Sequence, residues 1–276
     1  MSVRCLIIDA FTDEVFGGNP AGVVVLGAPA PESWMQKVAA ELRHSESAFL
    51  WPEADNDTWR LRWFTPTTEI KLCGHGTVAA TWALRELSMC REGEDVGFET
   101  LSGRLLARAT PTGAQIDLPT RPVVPAEVPR EEIERAIGHA RFVGVGRIEG
   151  GESDWLVRCE SAAEVASLVV DSNALAPLGR RGLVVTAPGE PASGVDFVSR
   201  FFAPGLGIAE DPVTGATHCG LGPYWAAELG TSNLVARQLS ARGGRLDLEV
   251  KTDRVVIGGS AVTVLRGELA APFADG

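Results

Sequence analysis

What the chain lacks narrows its function before any motif is considered. No apolar run approaches the roughly 18–20 residues that cross a bilayer, and the 45% hydrophobic, 22% charged composition is that of a soluble globular protein. No membrane association is expected. The opening stretch holds Asp9, Asp13 and Glu14 where a secretory leader would be basic and then apolar, so a cytoplasmic protein is expected. The five cysteines, Cys5, Cys73, Cys90, Cys159 and Cys219, include no C-x-x-C pair. Neither a disulfide framework nor a bound metal is expected from them. Basic residues are also scarce: 25 Lys and Arg against 36 Asp and Glu give a formal net charge of −11. Binding a phosphate backbone needs clustered Lys and Arg, so nucleic acid is not an expected partner.

Nucleotide chemistry is missing as well. There is no G-x-x-x-x-G-K-[ST], and Gly17-Gly18-Asn19-Pro20-Ala21-Gly22 lacks the spacing and the following helix of a dinucleotide fingerprint. No G-x-S-x-G nucleophile elbow occurs either. The chemistry left to the chain is that of acids, imidazole, thiol and backbone dipoles, and no cofactor is expected.

What is present is a repeat. Short apolar runs bounded by turn residues (Val23 to Leu26, Ala48 to Trp51, Leu61 to Phe64, Leu105 to Ala109) predict strands. Helices are predicted at Glu32 to Arg43, Glu131 to Ile137 and Ser161 to Val169, without regular alternation, which points to an α+β fold. Arg62-Trp63-Phe64-Thr65-Pro66 returns as Arg200-Phe201-Phe202-Ala203-Pro204, an offset of 138 residues, half of the 276-residue length. Ile70 before Gly74-His75-Gly76-Thr77 is echoed by Ile208 before Thr214-Gly215-Ala216-Thr217, and Gly103-Arg104-Leu105 by Gly244-Arg245-Leu246. Each half thus carries a strand, a glycine loop and a helix poor in charge. Helices of that kind are core helices, and their N-termini offer backbone N–H groups to a carboxylate. Four prolines between Pro119 and Pro129 mark a stiff crossing between the halves.

Three constellations can carry chemistry. Glu46, in Ser45-Glu46-Ser47-Ala48-Phe49-Leu50, stands where a helix gives way to a strand; partial burial would raise its pKa toward acid/base work, while a solvated or capping Glu is the alternative. His75, in Cys73-Gly74-His75-Gly76-Thr77, sits at the mouth of a predicted core helix. Cys73 is either a thiolate favoured by the helix dipole or a small buried hydrophobe. Glu210-Asp211-Pro212-Val213-Thr214-Gly215-Ala216 precedes the second helix, as a cap or as a site. Asp211 is expected to occupy the position related to Cys73.

Ile8-Asp9-Ala10-Phe11-Thr12, Gly18-Asn19-Pro20-Ala21, Ser45-Glu46-Ser47, Phe64-Thr65-Pro66, Leu72-Cys73-Gly74-His75-Gly76 and Glu210-Asp211-Pro212-Val213-Thr214-Gly215 together resemble the PhzF-like isomerases of phenazine biosynthesis. The resemblance runs over nearly the whole chain. It implies a diaminopimelate-epimerase-like fold of two similar halves, each a curled β-sheet or barrel around a central buried helix. The halves would span 1–118 with 260–276, and 119–259, with the active site in the cleft between them. It further implies catalytic roles for Glu46, His75 and Asp211, and substrate contacts from Asn19, Ser45, Cys73, Gly74, Gly76, Thr214, Gly215 and Ala216. A small carboxylated metabolite, a homodimer and a place in secondary metabolism or antibiotic biosynthesis follow as expectations. The implied reaction is a cofactor-independent proton and C=C shift, with Glu46 as acid/base. The alternatives are an amino-acid epimerase or racemase, and an inactive ligand-binding member. Two departures stand out: Ala216 replaces a frequent family serine, and Cys73 replaces the small residue of the phenazine enzyme itself.

Overall fold

Strands dominate the molecule, as the short apolar runs predict. The structure, a computed structural model, describes residues 3–54, 58–127, 129–138, 142–150, 153–178 and 181–270. Val128 of the proline-rich crossing and the last six residues of the expected 260–276 segment lie outside the described residues. The chain divides into two units, Met1–Asp117 with Gly258–Gly276, and Leu118–Ile257.

The first unit runs β1 (Val3–Ala10), β2 (Asn19–Val25), α1 (Glu32–Leu42), β3 (Glu46–Pro52), β4 (Thr58–Phe64), β5 (Glu69–Ile70), α2 (Gly74–Glu86), β6 (Asp95–Thr100), β7 (Gly103–Ala109) and β8 (Gly113–Pro119). Its β1–β2, β3–β4, β6–β7 and β7–β8 pairs are antiparallel, whereas β2–β3 and β4–β6 are parallel. The last strand, β17 (Arg254–Leu269), returns antiparallel to β1 and pairs with β8, so eight strands close into a barrel. In β3 the sequence Ser-Ala-Phe-Leu-Trp is buried throughout because both faces are covered. Phe49 and Trp51 pack with Met35 and Ala39 of α1, and alternation turns Ala48 and Leu50 the other way. Ten of the 13 residues of α2 are buried. Thr77 and Thr81 tolerate that burial by donating their hydroxyls to the carbonyls of Cys73 and Thr77, 2.6 and 2.8 Å away.

The second unit repeats the plan with β9 (Val123–Val124), α3 (Arg130–Ile137), β10 (Phe142–Ile148), β11 (Asp154–Cys159), α4 (Ala162–Ser167), α5 (Ser172–Leu175), β12 (Gly182–Pro188), β13 (Phe197–Ala203), β14 (Ile208–Asp211), α6 (Gly215–Leu229), β15 (Asn233–Gln238) and β16 (Gly244–Val250). Here β11–β12 and β13–β15 are the parallel pairs, and β12–β13 and β15–β16 the antiparallel ones. The alternation is that of the first unit. Pro223 lies inside α6 and cannot donate to the carbonyl of Cys219; that carbonyl accepts the Arg121 N–H instead, at 2.9 Å. A Cβ at Gly220 would fall 2.6 Å from Ile148 Cγ2, so glycine keeps the helix close to β10. Among the described residues no helix is long and apolar enough to cross a membrane.

One expectation is corrected. Arg62 is bound by Glu69 and Arg200 by Glu210, each guanidinium also lying over a phenylalanine, Phe64 or Phe202. From Glu69 to Glu210 the offset is 141, three more than in the preceding strands, because the turn at Pro204–Leu206 lengthens the second copy. Asp211 therefore corresponds to Ile70, and the residue related to Cys73 is Thr214; both are N-caps, of α2 and α6.

His218 on α6 is fully buried and stacks on Phe197. Its Nδ1–H donates to the Thr214 carbonyl at 2.8 Å, leaving Nε2 3.4 Å from the Ser199 hydroxyl. Burial pushes its pKa down from 6.5 to about 4, against a raising contribution from the Thr214 carbonyl. The unfolded chain therefore takes up a proton that the folded chain refuses, and stability falls as pH drops from about 6.5 toward 4. Wild type should lose about 2–3 kcal/mol over this window from this residue, and His218→Gln should lose that much less in urea unfolding. Parallel losses in the two proteins would show that His218 is not an acid-sensitive group.

Candidate active site

Seven of the expected site residues, Asn19, Ser45, Glu46, Cys73, Gly74, His75 and Gly76, belong to the first unit, at the starts of β2, β3 and α2. Glu46 pairs with Ala21 on β2, and its side chain is 13% exposed. His75 Nε2 lies 3.2 Å from Glu46 Oε2. No donor is aimed at that oxygen, however; it is sealed from solvent without a hydrogen bond. On the other side of the ring, His75 Nδ1 is 3.2 Å from Asn19 Nδ2, and Asn19 Oδ1 accepts from the Ser45 hydroxyl at 3.2 Å. With an amide N–H facing Nδ1, a neutral imidazole carries its proton on Nε2, which is near Glu46 Oε2 but off the line of a hydrogen bond. Turning the Asn19 amide over would reverse that tautomer while keeping both contacts.

Cys73 caps α2 from an extended backbone and accepts the Gly76 N–H at 3.3 Å. Its sulfur is also 3.5 and 3.8 Å from the two His75 nitrogens. Gly76 has no room for a side chain: a Cβ there would stand 2.8 Å from Trp63 Cδ1 and 2.9 Å from Cys73 Sγ. Gly74 is the first residue of the helix. The lack of water around the Glu46 carboxyl raises its pKa from 4.5 to about 7, against a lowering by the Ser45 hydroxyl.

The remaining expected residues belong to the second unit and form a separate network. Asp211 is buried and accepts the Thr214 hydroxyl at 2.5 Å. Gln238 donates to the Asp211 carbonyl at 2.7 Å and accepts the Thr214 N–H at 2.9 Å. The Gly215-Ala216 turn opens α6, where the Ala216 carbonyl lies 3.4 Å from Arg121 Nη1.

Sequence reasoning passed over Trp63 and Gln238. Trp63 is 1% exposed, and its indole N–H has no hydrogen bond. It pairs with Ala48, two residues beyond Glu46 and hence on the same face of β3. That alternation was the signal available. Gln238 closes a loop from a strand 24 residues beyond Thr214, and no local pattern marks it.

A family model described as phenazine biosynthesis-like protein matches residues 8–267. The chain belongs to the PhzC-PhzF family. It is 39% identical, over 98% of its length and 99% of the relative's, to a protein of Halalkalibacterium halodurans named an uncharacterized isomerase. It is 40% identical to phenazine biosynthesis-like domain-containing protein 2 of Mus musculus, covering 98% of this chain and all of that one. The crystal structure of a PhzF family protein from Enterococcus faecalis superposes with a TM-score of 0.87 at 39% identity, over 98% of this chain and 100% of that chain. The diaminopimelate-epimerase-like α+β architecture is thus that of the PhzF proteins.

Burial of Glu46 in this PhzF-family chain has a thermodynamic signature. With a folded pKa of about 7 against 4.5, the native state holds a proton that the unfolded chain releases between those values. The stabilisation is complete below about pH 4.5 and is lost as pH rises to about 7. Glu46→Gln cannot titrate, so its Tm relative to wild type should rise by several degrees between pH 5 and pH 8, from up to about 3 kcal/mol of linkage. A pH-independent difference would mean that Glu46 is an ordinary solvated carboxylate.

Proposed function

We propose that this PhzF-family protein is an isomerase that moves a proton, and with it a C=C bond, on a small carboxylated metabolite without a cofactor, using Glu46 as acid and base. The observation that carries the reading is the Glu46 carboxyl, largely buried with a pKa of about 7, its Oε2 sealed from water without a hydrogen bond and His75 Nε2 3.2 Å from it. A group that exchanges protons near neutrality is the one general acid/base chemistry needs. The Glu46 carboxylate takes a proton from a carbon next to unsaturation, the electron pair shifts along the conjugated system, and the carboxyl, exchanging with solvent while the intermediate lasts, returns a proton one allylic position away. His75 faces the acid throughout and is placed to hold its orientation. The mouth of α2 and the buried Trp63 indole N–H support a carboxylate as the substrate's anchor. The relative's name as an isomerase supports the reaction class, and the mouse relative favours a substrate not confined to antibiotic biosynthesis.

The test is solvent exchange. Small unsaturated carboxylic acids incubated with the protein in deuterated water should gain deuterium at the carbon where the new C–H bond forms, with the double bond displaced. Glu46→Gln should slow this by at least ~10²-fold while remaining folded, and the wild-type rate should rise with pH toward a plateau above about 7. Near-normal exchange by Glu46→Gln would remove Glu46 from the mechanism. Deuterium at the original carbon with inverted configuration would replace the double-bond shift with epimerisation.

A further inference from the structure

Glu46, Cys73 and His75 present three kinds of metal donor, a carboxylate oxygen, a thiol sulfur and an imidazole nitrogen, all within 4.8 Å of one another. These are the ligand types Zn²⁺ takes, and three protein ligands with an open fourth place form a common arrangement for it. The spacings can be compared with those of a zinc tetrahedron. Bonds of about 2.0–2.3 Å meeting at about 109° put neighbouring ligand atoms roughly 3.3–3.6 Å apart. His75 Nε2 is 3.2 Å from Glu46 Oε2 and 3.8 Å from Cys73 Sγ. The third edge, Cys73 to Glu46, lies within 4.8 Å.

Two further features point to an ion. Glu46 Oε2 is buried with no hydrogen bond, so its lone pairs are uncommitted. The partners behind the imidazole also suit a ligating histidine, which donates its other N–H to a fixed acceptor. With its amide turned over, Asn19 offers Oδ1 to His75 Nδ1 and its N–H to Ser45, across contacts that are both 3.2 Å. At the thiol, Cys73 Sγ accepts the Gly76 N–H at 3.3 Å, which fixes the sulfur at the mouth of α2.

We infer that Glu46, Cys73 and His75 form a three-ligand binding site for Zn²⁺, built into the mouth of α2, and that a bound ion inhibits the protein by occupying the acid/base. The inhibition rests on the role proposed for Glu46; the binding does not. Mg²⁺, a hard ion that demands octahedral oxygen coordination, is not accommodated by this set.

The metal-free full-length chain, titrated with Co²⁺ as a spectroscopic probe, should show a thiolate-to-cobalt charge-transfer band and the visible bands of a four-coordinate ion. Calorimetry should find one Zn²⁺ per chain and no Mg²⁺. Cys73→Ser, checked for folding by circular dichroism, should lose the charge-transfer band and bind Zn²⁺ at least ~10²-fold more weakly. Glu46→Gln should keep the band yet bind at least ~10-fold more weakly, and it serves as the second arm if Cys73→Ser does not fold. No band in wild type, or unchanged Zn²⁺ affinity in the folded variants, would overturn the site. Loss of solvent exchange on adding one equivalent of Zn²⁺ would support the inhibition. Persisting exchange in a zinc-loaded protein would overturn the inhibition and leave the binding site standing.

Discussion

A helix enclosed by its own sheet cannot turn to water for the N–H groups of its first turn, and both units of this chain are organised around that constraint. In the first unit α2 has 10 of its 13 residues buried, and all of these but His75 and Leu84 are Gly, Ala, Val or Thr, with each buried threonine tied to a carbonyl four residues back. Its mouth is closed from inside by Cys73 and lies under Trp63, which leaves no space at Gly76 for even a methyl group. In the second unit α6 is enclosed in the same way, and the carbonyl freed by Pro223 is taken up by the Arg121 backbone. Arg121 is itself anchored on the fully buried Asp154, together with Arg181. A buried carboxylate needs such partners, since an unpaired one would be severely desolvated.

The duplication fixed the frame and left the two mouths free to diverge. Strand pairing is preserved throughout, and so are the arginine–glutamate pairs of Arg62 with Glu69 and Arg200 with Glu210. Once the frame supplies two equivalent helix termini, only a handful of residues differ in consequence. Cys73 and Thr214 are the corresponding caps. The first accepts a backbone N–H from its own helix, while the second gives its hydroxyl to Asp211 and makes no side-chain cap bond.

Much of this was legible in the sequence. The repeat, the strands around Ala48 and Leu61 and the charge-poor helices all rest on local pattern, and the structure places them as read; that Ser45, Glu46, Cys73 and His75 share one place was implied only by the family resemblance, because strand β3 and helix α2 meet through the fold and not through local sequence. The relation of Asp211 to Cys73 was misread because the three-residue lengthening near Pro204 falls in a turn, where neither periodicity nor composition registers a slip. Gln238 was invisible for a different reason. Its function is to satisfy the backbone of a loop distant in sequence, and a buried glutamine announces nothing until the loop's unpaired groups are known. Trp63 was read only as part of a repeated strand; strand alternation with Glu46 across β3 and β4 is what gives it a place beside the acid.

The two mouths also differ in how completely their polar atoms are satisfied, and this difference separates the roles of the two acids. Among the described residues, the buried side-chain atoms without a hydrogen bond are Glu46 Oε2, Ser47 Oγ, Trp63 Nε1 and Arg158 Nε. Glu46 and Trp63 lie on one face of β3 and β4. Each such atom costs about 1–3 kcal/mol against a satisfied one, and unmet groups of that kind persist where function requires them. Around Asp211 the opposite holds: its carboxylate takes the Thr214 hydroxyl, and its carbonyl and the neighbouring N–H are both bonded by Gln238. An acid committed to a hydroxyl within a closed network keeps its geometry. An acid poised near neutrality with an uncommitted oxygen keeps its mobility at the expense of stability. In the reaction proposed above, it is therefore Glu46 that would carry the proton, while Asp211 is held in place by Thr214 and Gln238.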